Sequence, residues 1–298
     1  MKSTHLRTFL AVATVGSFSA AARRVHVSQS TASLHVKELE ADVGVQLLDR
    51  TRDGVVPTAA GRVMMRYAHQ LLGLEREAVT DVRAHADLAV DALHVAASTV
   101  LGDVHLPPVL AAFANAWPNV QVAMRVTGSA AALTALRLGD VEVAFLGQRP
   151  TGDGRRATGD DLVVRSLADD EMVMVAASSM PAPDASNLRW VARELGSASR
   201  SSVASLIPDG CRPVVTVGSA EGVRQCVLEG VGVAFMSRVA VANDLAARRL
   251  RVVPWPGTPL RRSLVVARLA AVAPSIAATA FIELACERMA APRRSAAS

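Results

Sequence analysis

The start of the chain carries apolar side chains at helical spacing, at Leu6, Phe9, Leu10 and Ala13. This spacing predicts an amphipathic helix over about 4–15. Gly16 is expected to end it, because a residue that closes a helix often needs a positive φ.

Two further helices are expected before residue 44. A short helix is predicted over 20–25, with Ser17 or Ser19 as its N-cap, and another over about 29–43, with Ser28 as its N-cap. Three helices with a tight turn before the third form the geometry that lays a recognition helix in the major groove of DNA. The pattern therefore predicts a helix-turn-helix.

A hairpin is expected directly after these helices. Short extended runs at 47–50 and 55–56 flank Asp53-Gly54, a strong signal for a tight turn between two strands. A hairpin in this place is the wing of a winged helix-turn-helix, where Arg50 and Arg52 can reach DNA.

A long helix is predicted over 59–86, capped by Thr58. At a rise of 1.5 Å per residue, its length is about 42 Å. Its apolar residues step by three and four positions, close to a heptad seam, and such a rod cannot bury this stripe alone. We therefore expect it to pair with the same helix of a second subunit through Met64, Tyr67, Leu71, Leu74, Ala78 and Val82.

The remaining residues alternate short apolar runs with helical patterns. Strand, helix, strand, helix and strand follow one another over 93–146, which is typical of a parallel sheet. A second series follows, with strands near 163–167, 172–177, 214–217 and 231–235 and helices near 199–207 and 220–229. A strand over 264–267 should return to the first unit, followed by a helix over 275–289 and a frayed tail from Pro292.

These patterns predict the α/β fold class for most of the chain, after an all-α winged helix-turn-helix domain and a long linker helix. Two α/β subdomains joined by crossing strands resemble the periplasmic-binding-protein architecture. The expected boundaries are 1–58 for the winged domain, 59–89 for the linker, and 90–298 for the α/β domain, with subdomain I over about 90–162 and 266–298 and subdomain II over about 163–265.

Composition fits a folded chain without a membrane segment. Of 298 residues, 51% are hydrophobic and 20% are charged, which excludes wholesale disorder. The most apolar stretch, 269–286, is broken by Pro274 and carries Glu283, so no membrane span is predicted.

The cysteines and the N-terminus indicate the cytoplasm. Cys211, Cys226 and Cys286 are odd in number and widely spaced, which fits reduced thiols. The apolar run 9–15 resembles the core of a signal peptide, but the helical pattern continues past Ala20, so secretion is not expected.

Charge in the N-terminal region supports a DNA partner. Five basic residues and no acidic one occur before Glu38, and the first turns of the third helix are rich in short polar side chains. Leu34 either meets a thymine methyl group or packs inward. The residues expected to contact double-stranded DNA are Arg23, Arg24, Ser28, Gln29, Ser30, Thr31, Ser33, His35, Lys37, Arg50 and Arg52.

Polar turns follow the predicted strands of the α/β domain and should gather at one edge, where such folds bind ligands. Hydroxyl groups and free amides at helix N-termini make good anion sites. The simpler alternative is that each serine only caps a helix, and that Arg200 is a solvated helix residue outside the cleft. The expected ligand-binding residues are Ser98, Thr99, Thr127, Gly128, Ser129, Gln148, Ser197, Ser199, Arg200 and Ser219.

Enzyme chemistry has little support. All seven histidines lie at or before His105, and no lysine follows Lys37, so the α/β region lacks an imidazole base and a phosphate-loop lysine. The chain has no GxSxG sequence and no His/Cys cluster at metal-binding spacing. We expect neither catalytic residues nor a metal or other cofactor.

Three segments carry a family resemblance. The sequence FSAAARRVHVSQSTASLHVKELE over 18–40, GVQLLDR over 44–50 and TAAG over 58–61 closely resemble LysR-type transcriptional regulators. Many members have proline where this chain has Ser30 and arginine where it has Leu34, so base reading by arginine at position 34 is not implied. The details resemble the branch of regulators of sulfur assimilation and of carbon fixation.

The resemblance implies a cytoplasmic, DNA-binding regulator whose action responds to a small-molecule effector, here expected to be a small anion. It also implies a homo-oligomer, a dimer through the linker helix and a tetramer through side-by-side effector domains, with RNA polymerase as a partner. The alternative is a solute-binding or transport-associated protein using the same α/β cleft, which needs neither a wing nor a long linker helix.

Overall fold

The computed structural model describes residues 1–52, 54–85, 91–148, 150, 161–184 and 188–290. The winged helix-turn-helix consists of α1 (Ser3–Val15), α2 (Phe18–Arg24), α3 (Gln29–Val43), β1 (Leu48–Thr51) and β2 (Gly54–Pro57). Asp53, half of the predicted hairpin turn, lies outside the described residues, but β1 and β2 pair as antiparallel strands.

Local capping sets the limits of these helices. The Ser17 hydroxyl, one of the two expected caps, accepts a hydrogen bond from the Ala20 amide, and the Ser28 hydroxyl accepts one from Thr31 at 3.0 Å. Gly16 and Gly44 end α1 and α3 in the left-handed region. The three predicted helices are therefore confirmed.

The linker helix α4 (Ala59–His85) is attached firmly to the base of the wing. The Thr58 hydroxyl accepts from the Gly61 amide at 2.9 Å and donates to the Gln46 carbonyl oxygen at 2.9 Å. A side chain at position 61 is excluded, because a Cβ there would lie 2.0 Å from the Leu47 carbonyl oxygen. The predicted cap and helix are confirmed, whereas the limit expected at residue 89 lies outside the described residues.

The first α/β unit contains a parallel sheet. Its elements are β3 (Asp91–Ser98), a π-helix (Leu101–His105), α5 (Pro107–Ala116), β4 (Val120–Thr127), α6 (Ser129–Leu138) and β5 (Val143–Leu146). Strand β3 lies between β4 and β5 and is parallel to both. Alternate residues of the strands enter two apolar clusters, one on each face, which explains why the strands read as continuous apolar runs.

The second half of the chain builds subdomain II and returns to subdomain I. Its elements are β6 (Leu162–Ala177), β7 (Val191–Arg193), α7 (Ala198–Ser202), a 3₁₀ turn (Ala204–Leu206), β8 (Val215–Val217), α8 (Ala220–Leu228), β9 (Ala234–Ser237), α9 (Ala242–Ala246), β10 (Leu250–Val253), β11 (Leu260–Leu269) and α10 (Ile276–Ala290). The long strands β6 and β11 are antiparallel and run through both subdomains. At one end β11 pairs with β5, and at the other β6 pairs with β9 and β10.

Some predicted elements differ from the observed ones. The two strands expected at 163–167 and 172–177 are one strand, β6, because Asp170 interrupts the apolar pattern but is buried against Arg262 and Ser237. The short elements β7, α9 and β10 were not predicted, since three to five residues are too few to show a period. The tail predicted to fray from Pro292 lies outside the described residues.

Candidate DNA-binding surface and effector cleft

The N-terminal turn of α3 is open to solvent. Ser28, Gln29 and Ser30 are exposed, and the Ser19 hydroxyl donates to the Gln29 side-chain oxygen at 2.9 Å. The Ser28 hydroxyl lies 2.8 Å from that of Ser30 and 2.7 Å from that of Thr31. The turn therefore presents an ordered row of polar groups, with the free amide hydrogens of Gln29 available to a base edge.

A groove of about 450 Å³ separates α3 from the wing. Its walls include Ser33 and Lys37 from α3 and Arg50 from β1. The Arg50 guanidinium lies 5.3 Å from the centre of the Phe18 ring, a cation–π distance that helps to hold its direction. Two more arginines are exposed: Arg23 near the end of α2 and Arg52 directly after β1.

The three carboxylates of α3 each have a partner within the winged domain. Glu40 accepts from the Leu47 and Leu48 amides at 2.8 and 3.2 Å, Glu38 lies 3.4 Å from His5, and Asp42 pairs with the N-terminal amine at 2.8 Å. Glu40 and Asp49 still line the groove together with Lys37 and Arg50, so the walls of the groove carry charges of both signs.

Two residues of α3 have surroundings that bear on their expected roles. The His35 Nδ1 atom lies 2.9 Å from the Thr8 hydroxyl, and its ring stacks on His5 at 4.8 Å, so His35 joins α3 to α1, and its expected contact with DNA stays a prediction. Leu34 does not pack inward, since 52% of it is exposed. Of its two alternatives, the contact with a thymine methyl group is the one compatible with the fold.

An apolar stripe runs along the outer face of α4. Tyr67, Leu71 and Leu74 are exposed by 52%, 43% and 61%, and Val82 by 70%. Met64 is half-buried and lines a second groove together with Tyr67, Leu71 and Leu74, and Ala78 is exposed further along α4. The opposite face of α4 is buried in the winged domain through Ala68 and Leu72, so the stripe has no cover within the described part of the chain.

The cleft between the subdomains is centred on Gly147, at the end of β5. A Cβ on this residue would lie 3.2 Å from the Ala198 Cβ, 3.4 Å from the Ser98 hydroxyl and 3.6 Å from Arg262 Nη1. The Gly147 amide donates to the Ser129 hydroxyl at 3.1 Å. Residues from both subdomains therefore meet here, and only glycine leaves space between them.

Polar groups around Gly147 differ in their partners. The Ser98 hydroxyl is buried and has no hydrogen-bond partner among the described residues. Arg262 is held by Asp170, at 2.8 Å from Nε and 2.7 Å from Nη2, while Nη1 makes only a long contact of 3.4 Å with the Ser199 hydroxyl. An unpaired hydroxyl and a weakly engaged guanidinium nitrogen thus lie side by side.

A second arginine joins the walls of the cleft. Arg193 Nη1 donates to the Thr99 hydroxyl at 3.1 Å, and its other nitrogens bind both oxygens of Glu194 at 2.8 Å. Burial alone would raise the pKa of Glu194, but the hydrogen bonds from Arg193 and from the backbone, together with the charges of Arg193 and Arg200, lower it. Burial raises the pKa of Asp103, a carboxyl of the π-helix close to Arg193.

The other residues expected to bind the ligand differ in their burial and in their hydrogen-bond partners. The Gln148 side-chain oxygen accepts from Ser202 at 2.8 Å, which links the two subdomains again. Ser197 is buried, and Thr127 and Gly128 lie at the junction of β4 and α6. The exposed Ser219 accepts from the Gly222 amide at 3.0 Å, so the simpler interpretation of it as a helix cap is the one that fits.

Arg200 is not the cation closest to Gly147. It is half-buried on α7, and its Nη1 donates to the carbonyl oxygen of Arg193 at 2.8 Å. The sequence analysis missed Arg193 and Arg262, which lie in strands rather than in turns. Neither arginine lies in a strand that the sequence predicts, and the contacts of both depend on elements that are distant in the chain.

None of the helices in the described ranges is long and apolar enough to cross a membrane. The same residues contain no group of three or more His, Cys, Asp or Glu side chains that could hold a metal ion.

Comparison with known proteins assigns both parts of the chain. Residues 3–62 match the family described as bacterial regulatory helix-turn-helix protein, lysR family, and residues 86–290 match the LysR substrate binding domain. The regulator CysL of Bacillus subtilis is 27% identical, with 87% of this chain and 88% of CysL covered. The regulator CbbR of Rhodospirillum rubrum is 30% identical, with 88% and 89% covered.

Solved structures show the same fold over the whole chain. ArgP from Mycobacterium tuberculosis superimposes with a TM-score of 0.62 at 21% identity, covering 96% of this chain and 97% of ArgP. The predicted fold class is therefore confirmed.

The relatives are named as transcriptional regulators, which favours that function over an enzyme or a solute-binding protein, and they confirm the resemblance to regulators of sulfur assimilation and carbon fixation. Among solved structures with the same fold, LysG of Corynebacterium glutamicum has a bound effector, and DarR of Vibrio fischeri is in complex with DNA. The chain belongs to the LysR family, as a DNA-binding transcriptional regulator with an effector-binding α/β domain.

Proposed function

We propose that this regulator changes its DNA binding when a small anion occupies the cleft at Gly147. The observation that carries the proposal is the buried Ser98 hydroxyl, which has no partner among the described residues and lies beside Arg262 Nη1. A buried hydroxyl without a hydrogen bond costs about 1–3 kcal/mol, so a ligand oxygen at this place would be favoured.

The chemistry around Gly147 suits a compact oxyanion. Ser98 can donate one hydrogen bond, Arg262 Nη1 can donate another in place of its long contact with Ser199, and the ion pair with Asp170 holds the guanidinium in position. None of the groups that surround the Gly147 Cβ position is an aromatic ring on which a flat organic ligand could stack. Sulfate, sulfite, thiosulfate and small carboxylates are therefore the candidate ligands.

The names of relatives guide the choice of probe. CysL and CbbR resemble this chain over most of its length, and the chain resembles regulators of sulfur assimilation. We use sulfate as the first probe for this reason.

DNA binding is proposed to use the exposed start of α3 and the cations around it. Ser28, Gln29, Ser30, Thr31 and Ser33 would meet the major groove, with Gln29 held by Ser19 in a direction suited to a base edge. The phosphate contacts would come from Arg23, Arg24, Lys37, Arg50 and Arg52, which are exposed.

Assembly and location follow from the same arrangement. The uncovered stripe of α4 supports a dimer, and pairing of effector domains into a tetramer rests on family membership, as does contact with RNA polymerase. The three free cysteines support the reducing cytoplasm as the place of action.

The test uses DNA from immediately upstream of the protein's own gene, labelled for fluorescence anisotropy. Sulfate is compared with chloride at equal ionic strength, and the melting temperature of the full chain is followed in the same buffers. We expect sulfate to raise the melting temperature in proportion to RT ln(1 + [L]/Kd) and to change the affinity for DNA. Stabilisation by aromatic compounds alone would contradict the anion site.

A further inference from the structure

Helix α6 belongs to both halves of the molecule. Ala132 and Leu136 pack in subdomain I, whereas Leu138, at the C-terminal end, packs against the core of the winged domain. With 10 residues, the helix is about 15 Å long. One end therefore lies at the effector cleft and the other at the DNA-binding domain.

Polar contacts fix the C-terminal end of α6 to the linker helix. His69 Nε2 lies 2.6 Å from the Arg137 carbonyl oxygen, and Arg76 Nη1 donates to the Gly139 carbonyl oxygen at 2.9 Å. Both carbonyl groups are among those that a helix leaves unpaired at its end, so α4 completes the hydrogen bonding of α6.

The next residue, Asp140, forms an ion pair with Arg24 at the end of α2. Arg24 is one of the cations assigned above to the DNA backbone, and its side chain remains 38% exposed. A carboxylate and a phosphate oxygen compete for the same guanidinium nitrogens, because both are planar or tetrahedral oxyanions that accept charge-assisted hydrogen bonds.

We propose that Asp140 is an autoinhibitory group, which occupies Arg24 in the free protein and must release it before Arg24 binds a DNA phosphate. The effector domain thereby lowers the affinity of its own DNA-binding domain without covering the recognition helix. The contact is weak enough to be reversible, since exposed ion pairs contribute up to about 1 kcal/mol.

The other end of α6 suggests how an effector acts on this contact, a step that rests on the proposed anion site. Ser129 starts the helix and accepts from Gly147, the centre of the cleft. Gly128 lies against Gly196 of subdomain II, so closely that a Cβ on Gly128 would be 3.3 Å from the Gly196 carbonyl oxygen. A ligand that shifts the two walls would therefore shift α6 and Asp140 relative to Arg24.

The test is a double-mutant cycle on the full chain with Asp140→Asn, Arg24→Gln and both together, read as DNA affinity over a range of salt concentrations. Asp140→Asn should tighten DNA binding about two- to five-fold, the range given by an exposed ion pair. In the Arg24→Gln background, Asp140→Asn should have no effect.

The control is Asp209→Asn, which removes the same charge from an exposed position of subdomain II. If this variant tightens binding as much as Asp140→Asn, overall charge is the cause and the proposal is wrong. The proposal is equally wrong if Asp140→Asn leaves affinity unchanged, or if its effect persists in the Arg24→Gln background.

Measurements with sulfate test the autoinhibition by Asp140 and the anion site independently. If sulfate acts through α6, it should change the DNA affinity of the wild type but not that of Asp140→Asn. If sulfate fails to stabilise the wild type at all, the anion proposal fails, while the result of the cycle still decides the role of Asp140.

Discussion

The hydroxyl groups of the cleft differ in whether the protein itself provides them with a hydrogen-bond partner. Thr99, Ser129 and Ser199 each accept a hydrogen bond from across the fold, but the Ser98 hydroxyl has no such partner among the described residues. The sequence indicated the serines because caps and turns are local features. It did not indicate Arg193 and Arg262, because their roles depend on strands that come together only in the fold.

Ser98→Ala should abolish most of the stabilisation by sulfate and leave the unliganded chain at least as stable as the wild type. The reason is that the variant removes a buried hydroxyl that the free protein leaves unpaired, worth about 1–3 kcal/mol. Melting curves with and without sulfate measure both effects. Ser179→Ala, at an exposed turn, is the control and should melt and respond as the wild type does. A full sulfate response in Ser98→Ala would contradict the site.

His69 should make the molecule less stable in acid. Burial lowers its pKa by more than the hydrogen bond to the Arg137 carbonyl group and the charge of Asp161 raise it, and the charges of Arg76 and Arg137 lower it slightly further. The unfolded chain therefore binds a proton first, and stability is full above pH 6.5 and falls as the pH drops towards the lowered folded pKa. Melting temperatures between about pH 8 and pH 5 measure this loss.

His69→Gln should reduce that loss, since glutamine can donate to the Arg137 carbonyl oxygen without titrating. Part of the pH dependence should remain, because burial also lowers the pKa of His5. His94→Gln, on an exposed strand position, is the control and should keep the wild-type profile. If the melting temperature of His69→Gln depends on pH as that of the wild type does, the titration of His69 does not contribute to the loss of stability in acid.

At the scale of elements, amphipathic helices were predictable and short strands were not. The limits of α3 and α4 follow from Ser28, Thr58 and a sustained apolar period. The strands β7 and β10 have three and four residues, and their identity comes from pairing with β8 and β6. The stripe of α4 is clear in the sequence as well, but its exposure became visible only with the fold.

Leu71→Glu should convert the protein to monomers and weaken DNA binding by at least ten-fold. It places a charge in the stripe of α4, where the exposed side chain would otherwise be buried against a second copy. Light scattering and anisotropy measure the two effects. Leu71→Met keeps the apolar contact and should behave as the wild type. A dimeric Leu71→Glu protein would place the subunit contact elsewhere.

On the scale of the whole molecule, the chain has a net charge of +5, and exposed cations of the winged domain lie around α3 and the wing. Glu38, Glu40 and Asp42 have partners within the winged domain, but Glu40 and Asp49 also line the groove beside Lys37 and Arg50. The sequence predicted this charge, but the masking of Arg24 by Asp140 joins residues 116 positions apart and could not be foreseen.

Lys37→Gln and Gln29→Ala should separate general from specific binding. Lys37→Gln should lower the slope of log K against log salt by about 0.9 per subunit on any DNA, because one phosphate contact is lost. Gln29→Ala should cost about 1–3 kcal/mol on the cognate site, much less on random DNA, and leave the slope unchanged. Anisotropy on both DNAs at several salt concentrations measures this. Equal losses on both DNAs for Gln29→Ala would show that α3 lies in a different position on DNA.

The close contact between Gly61 and the Leu47 carbonyl oxygen has a consequence for the promoter. It joins the wing and the first turn of α4 into one rigid piece, so in a dimer held through α4 the two recognition helices keep a fixed separation. Such a dimer can read only operators whose half-sites have one centre-to-centre spacing, near a whole number of turns of about 34 Å. Where a promoter departs from that spacing, the DNA must twist or bend to fit the protein.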